Sequence, residues 1–525
     1  MIEDKSENKK AVKTVSMIIF FTAFSKILGL ARNMIMAPIY GGSPENSAIT
    51  VALDVPLNFF DILFGAAILG IFIPAYNAFN HKDGTEQKKA EEFANVFLNF
   101  VILATGLLAL LGIIFSRQIV DLLTDFEEST KMLTVDLLRI MLPMVVFAGA
   151  VYTVNGILQS KGEFLAPALV SSFSNLGVII YLLFLNDNFG VYGLSVAYLI
   201  SWLIQLFTLI VPLIKKRYKY KFKLDFKNPA FIKSLKTALP VLAGSWLIPM
   251  SKLIANRFSS ACEDYDAVIA AFGKSWSIFL IITGVLIHGI CNYIFPKMAQ
   301  IANDGQKFAA TVKTGLSASV FIIAPVACLA YMLRGEAVAV LYMHGKFTPD
   351  LAKLASQMFI LLAPAMIMFA LIEILNRVFY SKNLVKFPMI ASLAGIAVNF
   401  ILNWVFISKL KLPPVYITLA VLLCQTLTAA VLVAALKINI KYIFDKKFLL
   451  NISKIVLSSG ILLIIIKILY YIINNNAFES GGLKNILISV IVLVMGAGCY
   501  TGVNFIFRTD EIRAFIKIIK REKKG

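Results

Sequence analysis

The chain has 525 residues, 59% of them hydrophobic and only 15% charged, with a net charge of +20. A mean hydropathy of +0.81 excludes an ordinary soluble domain. The cations lie between apolar runs, which excludes nucleic acid as a partner and reads as topology signals and anchors for anionic membrane lipids.

Apolar runs of about 20 residues recur from end to end, the length that crosses a bilayer as helix. The short alternating segments of a membrane barrel are absent. The pattern predicts an all-α polytopic membrane protein with 14 transmembrane helices, at 14–40, 47–78, 91–116, 131–158, 165–185, 190–214, 237–260, 267–298, 311–333, 352–380, 386–408, 413–436, 449–473 and 484–507. The first run is too long for a signal-peptide core and has no small-residue cleavage site after it, so it stays in the membrane. The longest polar connections are 80–90, 215–236 and 334–351.

Lysine and arginine crowd the tail 1–13, the loops after spans two, six and twelve, and the tail 508–525. With fourteen spans these all fall on one side, and the opposite loops (GGSPENS, DFEEST, NDNFG, CEDYD) are nearly free of cations. The positive-inside rule then places both termini in the cytoplasm.

The chain also repeats itself. Ser160-Lys161 recurs as Ser381-Lys382, and at the same offset of 221 Pro143 matches Pro364, Asn155 matches Asn376, and Pro167 matches Pro388. Two homologous six-helix lobes, 14–214 and 237–437, are therefore expected around a basic linker, 215–236. An even number of spans per lobe makes the repeat parallel, the plan of many alternating-access transporters. Spans thirteen and fourteen (438–507) lie outside the repeat, and 508–525 reads as a basic amphipathic helix on the inner surface.

Charge inside the spans is the functional signal, because a cation at membrane depth costs roughly 2.5–3.5 kcal/mol on insertion scales. Span one carries Lys26, Arg32 and Asn33, and span two carries Asp54, Asn58 and Asp61. Span seven has Lys252, Asn256 and Arg257, and span eight has Lys274 and His288. The expectation is one central cavity lined by these four helices, with cations receiving an anionic ligand. The competing reading is a set of ion pairs, such as Arg32 with Asp61, that only hold helices together. Glu373 and Arg377, four apart in span ten, read as a structural pair.

Gly273-Lys274-Ser275 resembles a P-loop ending, but Val268 stands where the required glycine should be. No catalytic motif, disulfide frame or metal-spaced cluster is found, and the five cysteines are scattered. The expectation is a transporter without catalytic residues, metal or cofactor, driven by membrane potential or a Na⁺ or H⁺ gradient.

Four stretches carry a family resemblance: FSKILGLARN (24–33), LDVPLNFFDILFGAAILGIFIPAY (53–76), MHGKFTPD (343–350) and VFYSKNLVKFP (378–388). They are similar to the MurJ/MviN family of lipid II flippases, in the multidrug/oligosaccharidyl-lipid/polysaccharide exporter superfamily. The resemblance implies a cavity lined by spans one, two, seven and eight for the diphosphate and headgroup of an undecaprenyl-diphosphate-linked lipid. It also implies a groove for the lipid tail at spans thirteen and fourteen, residence in the bacterial inner membrane, and cell-wall synthesis proteins as candidate partners. Lys26 and Arg32 fall where the family motif has two arginines, and Asn33 replaces its usual aspartate. The basic pair of the family's span two becomes Phe60-Asp61, and its span-eight arginine is near Ser277, with Lys274 one turn away. The alternatives are a flippase for another lipid-linked oligosaccharide, a cation-coupled drug exporter of the same superfamily, and a non-transporting scaffold.

Overall fold

The computed structural model describes the chain apart from residues 1, 61–71, 80–83, 226, 228–230, 233–239, 441–442, 474–477, 480–481, 515 and 517–525. The described residues are helical with no strand. Eleven of their helices are long and apolar enough to cross a membrane, so this is a multi-pass membrane protein. The chain divides into two compact units, Met1–Ala261 and Cys262–Gly525.

The first unit contains α1 (Ile2–Tyr40), α2 (Pro44–Phe60), α3 (Ile73–Phe79), α4 (Gly84–Ile114), α5 (Ser116–Leu123), α6 (Glu128–Met141), α7 (Met144–Ser160), α8 (Leu165–Phe184), α9 (Asn186–Lys215) and α10 (Leu247–Ser259). Span four is broken at Pro143, whose missing N–H and ring separate α6 from α7. Small residues allow close helix approach. A Cβ added at Gly149 of α7 would lie 2.7 Å from a methyl of Val101 on α4. Short polar side chains dock α1 on α8: Ser25 and Ser172 share a 2.5 Å hydroxyl contact, and Asn175 donates to the Ser25 carbonyl at 3.3 Å. Helix α10 packs on α2 and α5 within this unit. The sequence repeat instead groups it with the spans that follow. Packing in one conformation and ancestry of a repeat need not divide a chain at the same residue.

The described part of the basic connection after α9 is a strap rather than a loose loop. Tyr218 and Tyr220 donate to the side-chain oxygens of Asn95 and Asn99, each at 2.7 Å. Those asparagines donate in turn to the carbonyls of Lys219 and Lys223 at 3.2 and 3.1 Å. The two tyrosines, two residues apart, can meet Asn95 and Asn99 because two extended residues and about one helical turn each advance roughly 6 Å.

The second unit contains α11 (Tyr265–Gln300), α12 (Gly305–Met332), α13 (Arg334–Tyr342), α14 (Pro349–Ser381), α15 (Lys386–Asn403), a π-helical turn at Trp404–Lys409, α16 (Val415–Asn439), α17 (Lys446–Ile473) and α18 (Gly482–Phe507). The stretch 334–351, expected as a polar connection, holds α13 with Glu336 fully buried. A helix this short gives no span-length apolar run, so the sequence pattern passes over it. The Glu373–Arg377 pair forms within α14 at 2.7 Å.

Two left-handed backbone turns occur at corresponding places in the two units. Gly162 and Asn383 have φ of +74° and +56° and each follows the helix bearing a Ser-Lys pair. Each turn closes with a six-to-one bond, Glu163 to Leu158 and Leu384 to Phe379, both 2.8 Å. Gly190 and Lys411, at φ +53° and +51°, form the second pair at the offset of 221 seen in the sequence.

At the start of α17, Asp445 accepts from the Phe448 amide at 2.8 Å and pairs with Lys313 of α12. The Lys313 hydrogen bond, then the helix-capping amide, hold its carboxyl below the ordinary 3.8. A depressed carboxylate contributes stability above its unfolded pKa and loses it as pH falls through the lower folded value. Protection factors for the amides at 448–451, with the intrinsic pH dependence of exchange divided out, should therefore be flat from pH 7 to about 5 and fall below about 4. Asp445→Asn should remove that pH step. Persistence of the step in the variant would assign it elsewhere.

Candidate functional site

The cations and amides singled out from the sequence divide into separate environments within the first unit. Arg32 is half-buried on α1, its guanidinium 5.4 Å from the Tyr198 ring centroid. Its Nε and Nη2 donate to the Asn33 side-chain oxygen at 3.3 and 3.1 Å. Among the described residues no carboxylate pairs with Arg32. Lys26, lower on the same helix, is exposed.

Arg32 faces a cavity of about 400 Å³ among α1, α2, α7, α8 and α9. Polar side chains in its lining include Asn155, Ser171, Asn175 and Gln205. Aromatic rings form another wall, with Phe60 and Tyr152 5.0 Å apart and Tyr152 and Trp202 6.3 Å apart. The sequence reading missed Asn155 and Gln205 as site residues. Asn155 drew notice only through the repeat, and a single amide in an apolar run does not reveal what it faces. The usable signal was the face Tyr198, Ser201, Gln205 on α9, spaced by three and four.

Asp54 is engaged elsewhere. Its Oδ2 lies 3.3 Å from the Lys252 ammonium and accepts from Asn256 at 2.8 Å, joining α2 to α10. Asn58 donates to the Asp54 backbone carbonyl at 2.7 Å. Arg257, on the next turn of α10, pairs with Asp125 in the α5–α6 connection. Lys252, Asn256 and Arg257 therefore all hold contacts inside the first unit. Asp61 lies outside the described residues, so its pairing with Arg32 is not observed.

In the second unit Lys274 is buried on α11, its ammonium 5.5 Å from the Tyr342 ring centroid. His288 is on the same helix and its side chain lies outside the described residues. An apolar groove of about 400 Å³ runs along α12, α13 and α18, lined by Leu329, Val340, Ile486 and Val490. Much of the outer face of α17 and α18 is exposed hydrocarbon, including Ile464, Ile472, Leu483 and Val494.

A multi-pass helical protein whose arginine lines a polar cavity without a carboxylate partner among the described residues belongs to the class of membrane transporters for polar or anionic cargo. The family model described as lipid II flippase MurJ matches residues 36–490. The chain belongs to that family. A probable lipid II flippase MurJ of Bdellovibrio bacteriovorus is 27% identical over 75% of this chain and 76% of its own length. The lipid II flippase MurJ of Thermosipho africanus is 26% identical over 95% of this chain and 97% of its own. A solved lipid II flippase MurJ in an inward closed conformation superposes with a TM-score of 0.75 at 23% identity, covering 94% and 98% of the two chains.

Proposed function

We propose that this protein is a lipid II flippase that moves the undecaprenyl-diphosphate-linked peptidoglycan precursor from the inner to the outer leaflet of the bacterial inner membrane. Family membership supports this over a cation-coupled drug exporter, and the observation that carries the chemistry is Arg32. A half-buried guanidinium without a carboxylate partner among the described residues suits a diphosphate, which it can grip in bidentate fashion.

The working architecture is fourteen spans, two parallel six-helix lobes and two further helices, with alternating access between the lobes. The matching turns at 162/383 and 190/411 support the repeat. Spans thirteen and fourteen serve the polyprenyl tail, a role supported by the apolar groove beside α18. Lys26, Lys252, Arg257 and Lys274 assist the headgroup at other stages of the cycle. Membrane potential or a Na⁺ or H⁺ gradient supplies the energy, and anionic lipids hold the basic inner loops.

Expression of this gene should restore growth and cell shape when a bacterium's own lipid II flippase is depleted. Failure with normal membrane insertion would count against the reading. Topology has its own check. A cysteine placed at Lys221 should react with an impermeant maleimide only after the inner membrane is opened. Labelling of intact spheroplasts would overturn the cytoplasmic placement of both termini.

A further inference from the structure

Gln425 lies on α16 in the second unit and is fully buried. Neither its side-chain oxygen nor its nitrogen has a hydrogen-bond partner among the described residues. Ser392 on α15 is buried too, and its hydroxyl is equally without one. Thr428, three residues along α16 from Gln425, donates to the Ala391 carbonyl at 3.3 Å, which sets both groups at one level of the α15–α16 contact. An amide and a hydroxyl stranded inside a membrane bundle lower its stability, so their presence there asks for a use.

The internal repeat supplies it. At the offset of 221, Pro167, Val170 and Ser171 of α8 correspond to Pro388, Ala391 and Ser392 of α15. Gly190 and Lys411 keep that offset, and Leu412, Pro413 and Pro414 then add three residues before α16 begins. Val191-Tyr192 thus matches Val415-Tyr416, and Ser201 of α9 matches Gln425. Pro167, Val170, Ser171 and Ser201 all line the cavity beside Arg32. Their counterparts in the second unit are all buried in the helix contact. Side-chain size accounts for the difference. Tyr198 and Trp202, whose rings line the first cavity, become Leu422 and Thr426, and smaller side chains let two helices close together.

We propose that α15 and α16 hold a closed counterpart of the first unit's cavity, which opens in another conformation of the transport cycle and fills with water around Ser392 and Gln425. Water suits these groups because an amide and a hydroxyl each both donate and accept, whereas an ion of either sign satisfies only one half of the amide. The inference rests on the alternating-access reading and adds to it a second hydrated space, out of phase with the first.

The test uses the full-length protein in lipid vesicles, its five cysteines replaced by alanine and one new cysteine introduced as Ser392→Cys or Gln425→Cys. The probe is a small methanethiosulfonate, which attacks the thiolate and so needs water at the sulfur. Labelling should be slow at rest and about tenfold or more faster while lipid II is being flipped, because turnover populates the open state. Equal labelling rates at rest and in turnover would overturn the second cavity. Gln425→Leu gives a readout without cysteines. It should raise the thermal unfolding midpoint, since it removes a stranded amide and keeps hydrocarbon in its place, and it should slow flipping severalfold. A lowered midpoint, or flipping at the wild-type rate, would also overturn the cavity while leaving the flippase reading intact. Wild type that flips no lipid II would sink that reading itself.

Discussion

Arg32→Ala should abolish flipping while the protein still inserts and folds. Each charge-assisted hydrogen bond to an anion is worth about 1.5–3 kcal/mol, so loss of the fork should lower substrate affinity by at least 10–100-fold. The folding cost should be small, because the contacts Arg32 gives up are to its neighbour Asn33 and to the face of Tyr198. Arg32→Lys should recover part of the activity, since it restores a point charge but not the planar fork. Flipping is measured as the arrival of labelled lipid II in the outer leaflet, with expression and thermal unfolding as controls. The helix-pairing alternative makes a different prediction. If Arg32 served only to neutralise Asp61, then Arg32→Ala combined with Asp61→Ala should transport at the wild-type rate. Rescue of that kind would sink the substrate role of Arg32.

What could be read from the sequence was what hydrocarbon dictates. Apolar runs located α4, α12 and α14 to within a turn or two, because span length is fixed by bilayer thickness. The left-handed turns at Gly162 and Asn383 lie at the offset of 221 read from the sequence, because such a turn constrains the backbone and the residues around it. Short pieces such as α5 and α13 were not legible, for neither has the length that makes an apolar run decisive. The strap at 218–223 read as a charge-rich linker, and the Asn95 and Asn99 that hold it are unremarkable in a helix until their partners are known. The site followed the same division. Charged residues in spans announced themselves by their cost. Which of them line a cavity and which pair with each other depended on packing, and that sorting separates Arg32 from Asp54.

The second large effect concerns Asp54, whose partner Lys252 has a side chain only 9% exposed. Removing one member of a buried ion pair strands the other charge, at a cost of about 3–5 kcal/mol, whereas removing both together can be nearly neutral. Asp54→Ala should therefore lower the midpoint of thermal unfolding in detergent, and so should Lys252→Ala. Asp54→Leu with Lys252→Met should restore most of the loss, because hydrocarbon of similar size replaces the pair. Asp54→Asn should fall between, since it keeps an acceptor for Asn256 2.8 Å away but not the charge that balances the ammonium. Transport gives an independent readout on the same proteins. If Lys252 exchanges Asp54 for the substrate diphosphate during the cycle, the apolar double variant will be stable yet slow. A double variant that is both stable and fully active would confine Lys252 to holding α10 against α2. Single variants with unchanged unfolding would instead refute the buried pair itself.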